Sequence, residues 1–199
     1  MKTENLTDDG VAERREAPHV CPWWVGYLLA SPVRRLLEHP DRLLRPHVRP
    51  GDTVLDLGCA MGFFSLPLAG LVGPSGRVVC VDLQERMLAT LDRKIRRRRL
   101  TGVMETRLCT GSDLGLADLT GTVDLALAWH VLHEVPDRRA FLRQAREALK
   151  PGGRLLLAEP TGHVSAAELA TELALAREVG FRLVATDDRR RSRVAVLMR

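Results

Sequence analysis

The sequence predicts an α/β fold: a doubly wound (Rossmann-like), seven-stranded and mostly parallel sheet, closed by an antiparallel C-terminal edge hairpin. Three observations carry the prediction. Short apolar runs follow Pro-Gly turns again and again, with RPGD before TVLDL, GPSG before RVVCVD and KPGG before RLLLAE. Amphipathic stretches of helical length lie between the runs. The tail, FRLVATDDRRRSRVAVLMR, breaks the rhythm and reads as two strands joined by a turn. Near-continuous apolar runs suit strands covered on both faces, and a strand that alternates with a helix calls for parallel pairing through right-handed crossovers.

Taken in order, residues 1–17 are charged and without periodicity, which predicts a mobile arm. Residues 18–48 carry short amphipathic pieces, with Val33, Leu36 and Leu37 on one face and Leu43 and Leu44 on the next. Pro22, Pro32, Pro40 and Pro46 divide them into brief helices, an N-terminal cap on the domain at 49–199. Within that domain TVLDL, RVVCVD, ETRLCT, TVDLALAW and RLLLAE are the predicted parallel strands. Helices are expected over 63–71, 85–98, 137–149 and 165–179.

Composition narrows the classes. A chain of 199 residues, 45% of them hydrophobic, fits one domain with a substantial core. No apolar run reaches the roughly 18–20 residues of a membrane helix, and the polar start lacks the apolar centre of a signal peptide. Cys21, Cys59, Cys80 and Cys109 are scattered without a CxxC pair, so small buried thiols in a reducing cytoplasm are expected, and no metal site. The net charge of +5 is carried by arginine, in blocks at Arg96–Arg99 and at Arg189–Arg191 with Arg193. No aromatic residue is interleaved to stack on bases, so these read as a solvated helix end and hairpin tip.

The first strand ends in VLDLGCAMG, residues 54–62. In a doubly wound sheet the ligand lies beyond the carboxyl ends of the strands, and glycines there let the backbone approach it closely. A dinucleotide site reads G-x-G-x-x-G, with the pyrophosphate on a helix N-terminus. Here Asp56 precedes Gly58 by two residues, where it repels a pyrophosphate and favours an ammonium group. The second strand ends in Asp82, placed to accept from two ribose hydroxyls. A nucleoside with a cationic end and no phosphate fits: S-adenosylmethionine, with S-adenosylhomocysteine as product.

At this point the chain resembles the class I S-adenosylmethionine-dependent methyltransferases, over about 48–199. VLDLGCAMG resembles the family's E/D-x-G-x-G-x-G signature, VDL its acidic second-strand end and GSDLGL its adenine-binding turn. DLALAWHVLHEVPD resembles its fourth strand and the loop after it, and LKPGGRLLLAEP its fifth. The resemblance implies that Asp56 lies at the methionine end, with Gly58, Cys59 and Gly62 beside it. Asp82 binds the ribose and Leu83 packs on adenine. Asp113 holds the adenine amino group, flanked by Ser112 and Leu114, and Trp129 contacts the methionyl portion. Ala60 stands where the family has glycine; it is expected at negative φ, in a slightly tighter turn.

For the methyl acceptor, His130 and His133 titrate near neutrality and are candidates for a base. For either, the alternative role is a hydrogen bond that holds the loop. No N-P-P-[YF] segment and no Pro-Cys pair follows the fourth strand, which disfavours methylation of nucleic-acid bases. Four cysteines spread mainly over the sheet disfavour arsenite. Trp23, Trp24 and Tyr27 are expected to fold over the pocket as a lid. The short connection after the fifth strand suits a small-molecule acceptor. A protein or RNA methyltransferase that uses the arginines, and a non-catalytic S-adenosylmethionine-binding subunit, are the alternatives. A homodimer is left open.

Overall fold

The computed structural model describes residues 39–189 and 191–199. The lid residues Trp23, Trp24 and Tyr27, the arm 1–17 and most of the cap lie outside the described residues. Five helices and seven strands follow in order: α1 (Pro40–Leu44), β1 (Thr53–Leu57), α2 (Ser65–Val72), β2 (Arg77–Asp82), α3 (Glu85–Arg97) and β3 (Met104–Leu108). Then come β4 (Val123–Trp129), α4 (Arg138–Ala148), β5 (Leu149–Pro160), α5 (Ala166–Glu178), β6 (Arg182–Asp188) and β7 (Ser192–Met198). The sheet order is β3-β2-β1-β4-β5-β7-β6. Strands β1 to β5 are parallel, and β7 runs antiparallel to both β5 and β6.

Side chains alternate across the sheet and feed two apolar layers. Leu55, Leu57, Val79, Val81, Ala126, Ala128, Leu155 and Leu157 pack with Phe141, Leu142 and Ala145 of α4 and Leu169 and Ala176 of α5. Val54, Val78, Cys80, Leu125, Leu127 and Leu156 pack on the other face with Leu43 and Leu44 of α1, Leu68 and Val72 of α2, and Leu88, Leu91 and Ile95 of α3. By the same alternation Asp56, Asp82 and Trp129 belong to the α1–α3 face, and Glu159 to the α4–α5 face.

The helices fall within two residues of the sequence expectation, and the differences have local causes. KPGG does not precede β5 but lies inside it. The strand starts at Leu149, directly from α4, and pairs Leu149 with Val123; a bulge then restores register at Arg154 and Leu125. β3 ends at Leu108, one residue short of the cysteine of ETRLCT; the Cys109 N–H makes the last bond to β2, on the Asp82 carbonyl at 3.0 Å, and the chain then turns away. The described part of the cap is anchored at the entrance to the sheet. Val48 leads into the turn before β1, and Arg154 donates to the His47 carbonyl.

The turn between β1 and α2 passes through Gly58, Ala60 and Gly62 at φ of 72°, 47° and 83°. Ala60 is therefore left-handed, and the expectation of negative φ is corrected. The cause is Asp82, whose Oδ2 accepts the Ala60 N–H at 2.8 Å and pulls the turn toward β2. The two glycines are demanded by packing as well. A Cβ on Gly58 would sit 2.6 Å from Val131 Cγ2, and one on Gly62 2.4 Å from Leu91 Cδ1. Left-handed backbone costs alanine about 1–2 kcal/mol, part of which glycine returns as freedom of the unfolded chain. Ala60→Gly is therefore expected to raise stability by about 0.5–1 kcal/mol in urea denaturation, with an unchanged m-value.

Candidate active site

Two carboxylates underlie the glycine turn. Asp56 is almost fully buried near the end of β1 and accepts from Ser65 Oγ at 2.5 Å, at the start of α2. Burial pushes its carboxyl up to about 7; the Ser65 hydrogen bond draws it back, and the negative charge of Asp82 raises it further. Asp82, last in β2, spans two backbone donors: Oδ2 takes the Ala60 N–H and Oδ1 the Gln84 N–H, at 2.8 and 2.9 Å. Its carboxyl is also raised by burial, against the pull of those N–H groups. Two acids on neighbouring strands, on one face and repelling each other, form a pocket floor that prefers a cation.

Lys94 of α3 supports the turn from beneath, its Nζ donating to the Met61 carbonyl at 2.7 Å. Cys59 is buried within the turn, where burial pushes its thiol up, so it acts as a small packing residue. Leu83, next after Asp82, is 49% exposed, an open apolar wall where the resemblance places adenine. Asp113 lies at the surface beyond β3 and closes its own turn, Oδ1 accepting the Gly115 N–H at 2.8 Å. The Leu114 N–H donates to Gln144 Oε1 at 2.9 Å, and Gln144 Nε2 donates to the Ser112 carbonyl at 3.0 Å. Gln144, on α4, thus fixes the backbone of residues 112–114.

Beyond β4, Trp129 is buried against Phe64, ring centroids 4.8 Å apart, and Phe63 meets Phe64 edge-on at 5.0 Å. Trp129 Nε1 is a buried donor without a hydrogen-bond partner. His130 takes the left-handed conformation at φ 59°, its N–H on the Ala158 carbonyl and its Nε2 2.8 Å from Ser192 Oγ of β7. Val131 covers Gly58, which joins the loop after β4 to the glycine turn. His133 lies one turn further on, with Nδ1 2.5 Å from Glu159 Oε2.

The structure thus brings Asp56, Gly58, Cys59, Gly62, Asp82 and Leu83 together around one turn. Trp129 and His130 lie at the end of β4 beside it, and His133 is held in the turn after β4 by Glu159. Ser65, Gln144, Lys94 and Glu159 were not singled out from the sequence. For Glu159 a signal existed: RLLLAEP ends an apolar run in an acid, as RVVCVD does. Ser65, Lys94 and Gln144 act across distances in sequence that no local pattern encodes.

The pocket fits S-adenosylmethionine on three counts: an acid-lined floor for a cationic nucleoside, an exposed apolar wall at Leu83 and an orphaned indole donor at Trp129. Among the described residues, no group of three or more His, Cys, Asp or Glu side chains is placed to hold a metal ion.

A family model of the methyltransferase domain matches residues 55–157. The demethylmenaquinone methyltransferase of Geobacillus sp. (strain WCH70) is 30% identical over 126 residues, 63% of this chain and 53% of that protein. The ubiquinone/menaquinone biosynthesis C-methyltransferase UbiE of Klebsiella pneumoniae is 37% identical over 112 residues, 56% of this chain and 44% of that protein. This chain therefore spans about half the length of these curated relatives. The crystal structure of a SAM-dependent methyltransferase from Aquifex aeolicus shares the fold, with a TM-score of 0.81 at 22% identity over 90% of this chain and 99% of that one. The chain belongs to the methyltransferase domain family, and it has the fold of the class I S-adenosylmethionine-dependent methyltransferases.

Proposed function

We propose that the chain methylates a small-molecule acceptor held over the carboxyl ends of β4 and β5, with quinols as the first class to test. The observation that carries this reading is the pair of buried acids beneath a positive-φ turn, Asp56 and Asp82. Support for a small acceptor comes from the short connection between β5 and α5, residues 161–165, which leaves no insertion to grip a macromolecule. The names of the relatives support the quinol class.

In this reading Asp82 accepts from the ribose hydroxyls, Leu83 covers one face of adenine, and residues 112–114, braced by Gln144, border its edge. Asp56 supplies negative charge at the cationic end, and Trp129 Nε1 offers a donor there. The bound cofactor supplies an electrophilic methyl group. The residues of the chain align the acceptor with it and exclude water, a proximity effect that supplies several kcal/mol.

A macromolecular acceptor is less well supported. Arg96–Arg99 are exposed around the C-terminus of α3, where they complement the helix dipole as a solvated helix end. A reducing cytoplasm is supported by free Cys59, Cys80 and Cys109. Among the described residues no helix is long and apolar enough to cross a membrane. For a homodimer, the edge strand β6 is where a second copy would add, which sedimentation of the full chain decides.

Two outcomes are expected. A cation beside Asp56 favours its charged form, so a carboxyl that sits at about 7 in the free chain releases a proton when S-adenosylmethionine binds. Titration calorimetry in buffers of different ionisation enthalpy will show that release near neutral pH, with affinity falling as pH drops below 7; Asp56→Asn abolishes the release. With labelled S-adenosylmethionine and a metabolite extract, label is expected in small molecules, a reduced naphthoquinone among them. Label confined to RNA or protein contradicts the small-acceptor reading, and binding without any transfer indicates a non-catalytic subunit.

A further inference from the structure

The α4–α5 face holds a second group of titratable side chains, beside the loop after β4. Glu159, on β5, is fully buried; Oε2 meets His133 Nδ1, and Oε1 has no hydrogen-bond partner. Glu172 of α5 is 1% exposed, and neither of its oxygens makes a hydrogen bond. Its closest cation is Arg138 of α4, an ion-pair contact at 3.4 Å; Arg138 also donates to the His133 carbonyl at 3.1 Å. Glu134 Oε1 lies 3.9 Å from His133 Nε2, and the His163 ring stacks edge-on at 6.0 Å. The groups that face His133 are therefore Glu134 from its own turn, Glu159 from β5, His163 from the loop after β5, Glu172 from α5 and Arg138 from α4.

Buried acids are costly, and one acid would suffice to pin a loop histidine. A carboxylate only accepts, so the Nδ1–H is fixed on Glu159 and the lone pair is left on Nε2. His133 lies two residues beyond Val131, which covers Gly58, and four beyond Trp129. It follows directly on the carboxyl end of β4, over which the acceptor is proposed to lie. We infer that His133 is the proton acceptor of the reaction, with Glu159 as its positioning residue, and that the methyl acceptor is an acid: a phenol, an enol or an enolisable carbon. This rests on the methyltransferase reading above.

The step balances. The acceptor's X–H electron pair forms the bond to the methyl carbon, the carbon–sulfur pair remains on sulfur, and the proton passes to His133 Nε2. The imidazolium so formed keeps its Nδ1–H on Glu159. Burial alone would make His133 less basic, but Glu159, then Glu134 and Glu172, outweigh it and hold the imidazole above its ordinary 6.5. Burial, then the charge of Glu159, pushes Glu172 up to about 7, so near neutrality part of its negative charge is neutralised by its own proton.

Two measurements on the full chain test the proposal. In imidazole nitrogen NMR of the free protein, His133 is expected to titrate above the ordinary imidazole value, and Glu159→Gln to lower its midpoint; an unmoved midpoint overturns the positioning role. In transfer of labelled methyl from S-adenosylmethionine, 1,4-dihydroxynaphthalene and acetylacetone are the acidic probes and ethanolamine the amine. Methylation of an acidic probe is expected, with a rate that rises with pH through the His133 midpoint. His133→Gln is expected to lower that rate by about 100-fold or more while the S-adenosylmethionine Kd stays unchanged. Methylation of ethanolamine alone, or of neither acidic probe, overturns the acceptor class; a loss under about threefold in His133→Gln overturns the base. Failure of the wild-type chain to bind S-adenosylmethionine defeats the methyltransferase reading itself, a distinct result.

Discussion

The carboxylate of Asp82 shapes the loop that ends a different strand. By taking the Ala60 N–H it draws the turn after β1 onto the end of β2, and by taking the Gln84 N–H it closes its own strand into α3. Charge-assisted bonds of this kind are among the stronger ones, and here one holds an alanine in a backbone region that alanine avoids. Gly58 and Gly62 are then pressed so closely against Val131 and Leu91 that no side chain fits. The price is repulsion between Asp82 and Asp56, which a bound cation relieves.

Acids recur where buried parallel strands end. Asp56 and Asp82 serve the face covered by α1, α2 and α3, and Glu159 serves the face covered by α4 and α5. The first two lie beneath the glycine turn, where the proposed reading places the cationic cofactor. The third holds the imidazole of His133, with Glu172 buried behind it. The segment 130–134 joins the two systems, with Val131 seated on the glycine turn and His133 on Glu159. In the proposed reading, cofactor recognition and proton handling meet in one short loop.

Much of this was legible in the sequence. Apolar runs after Pro-Gly turns placed the strands, and the antiparallel tail was marked by its break in rhythm. An acid before the glycine turn and another at the end of VVCVD gave the chemistry of the ligand, because local residue order alone sets them there. The conformation of Ala60 was not legible, since it depends on a bond to a residue 22 positions away. Nor was the role of Gln144, which reaches Ser112 across about thirty residues. Glu172 left a trace, a charge three residues after Leu169 on the buried side of a helix, but its proximity to Glu159 is a tertiary fact.

The central claim is that this turn selects a positively charged nucleoside without phosphate, and thermal denaturation of the full chain with candidate ligands tests it most directly. S-adenosylmethionine and S-adenosylhomocysteine are expected to raise the Tm in a concentration-dependent way, while NAD and ATP leave it unchanged. Protection by NAD or ATP, with none from S-adenosylmethionine, would contradict the account.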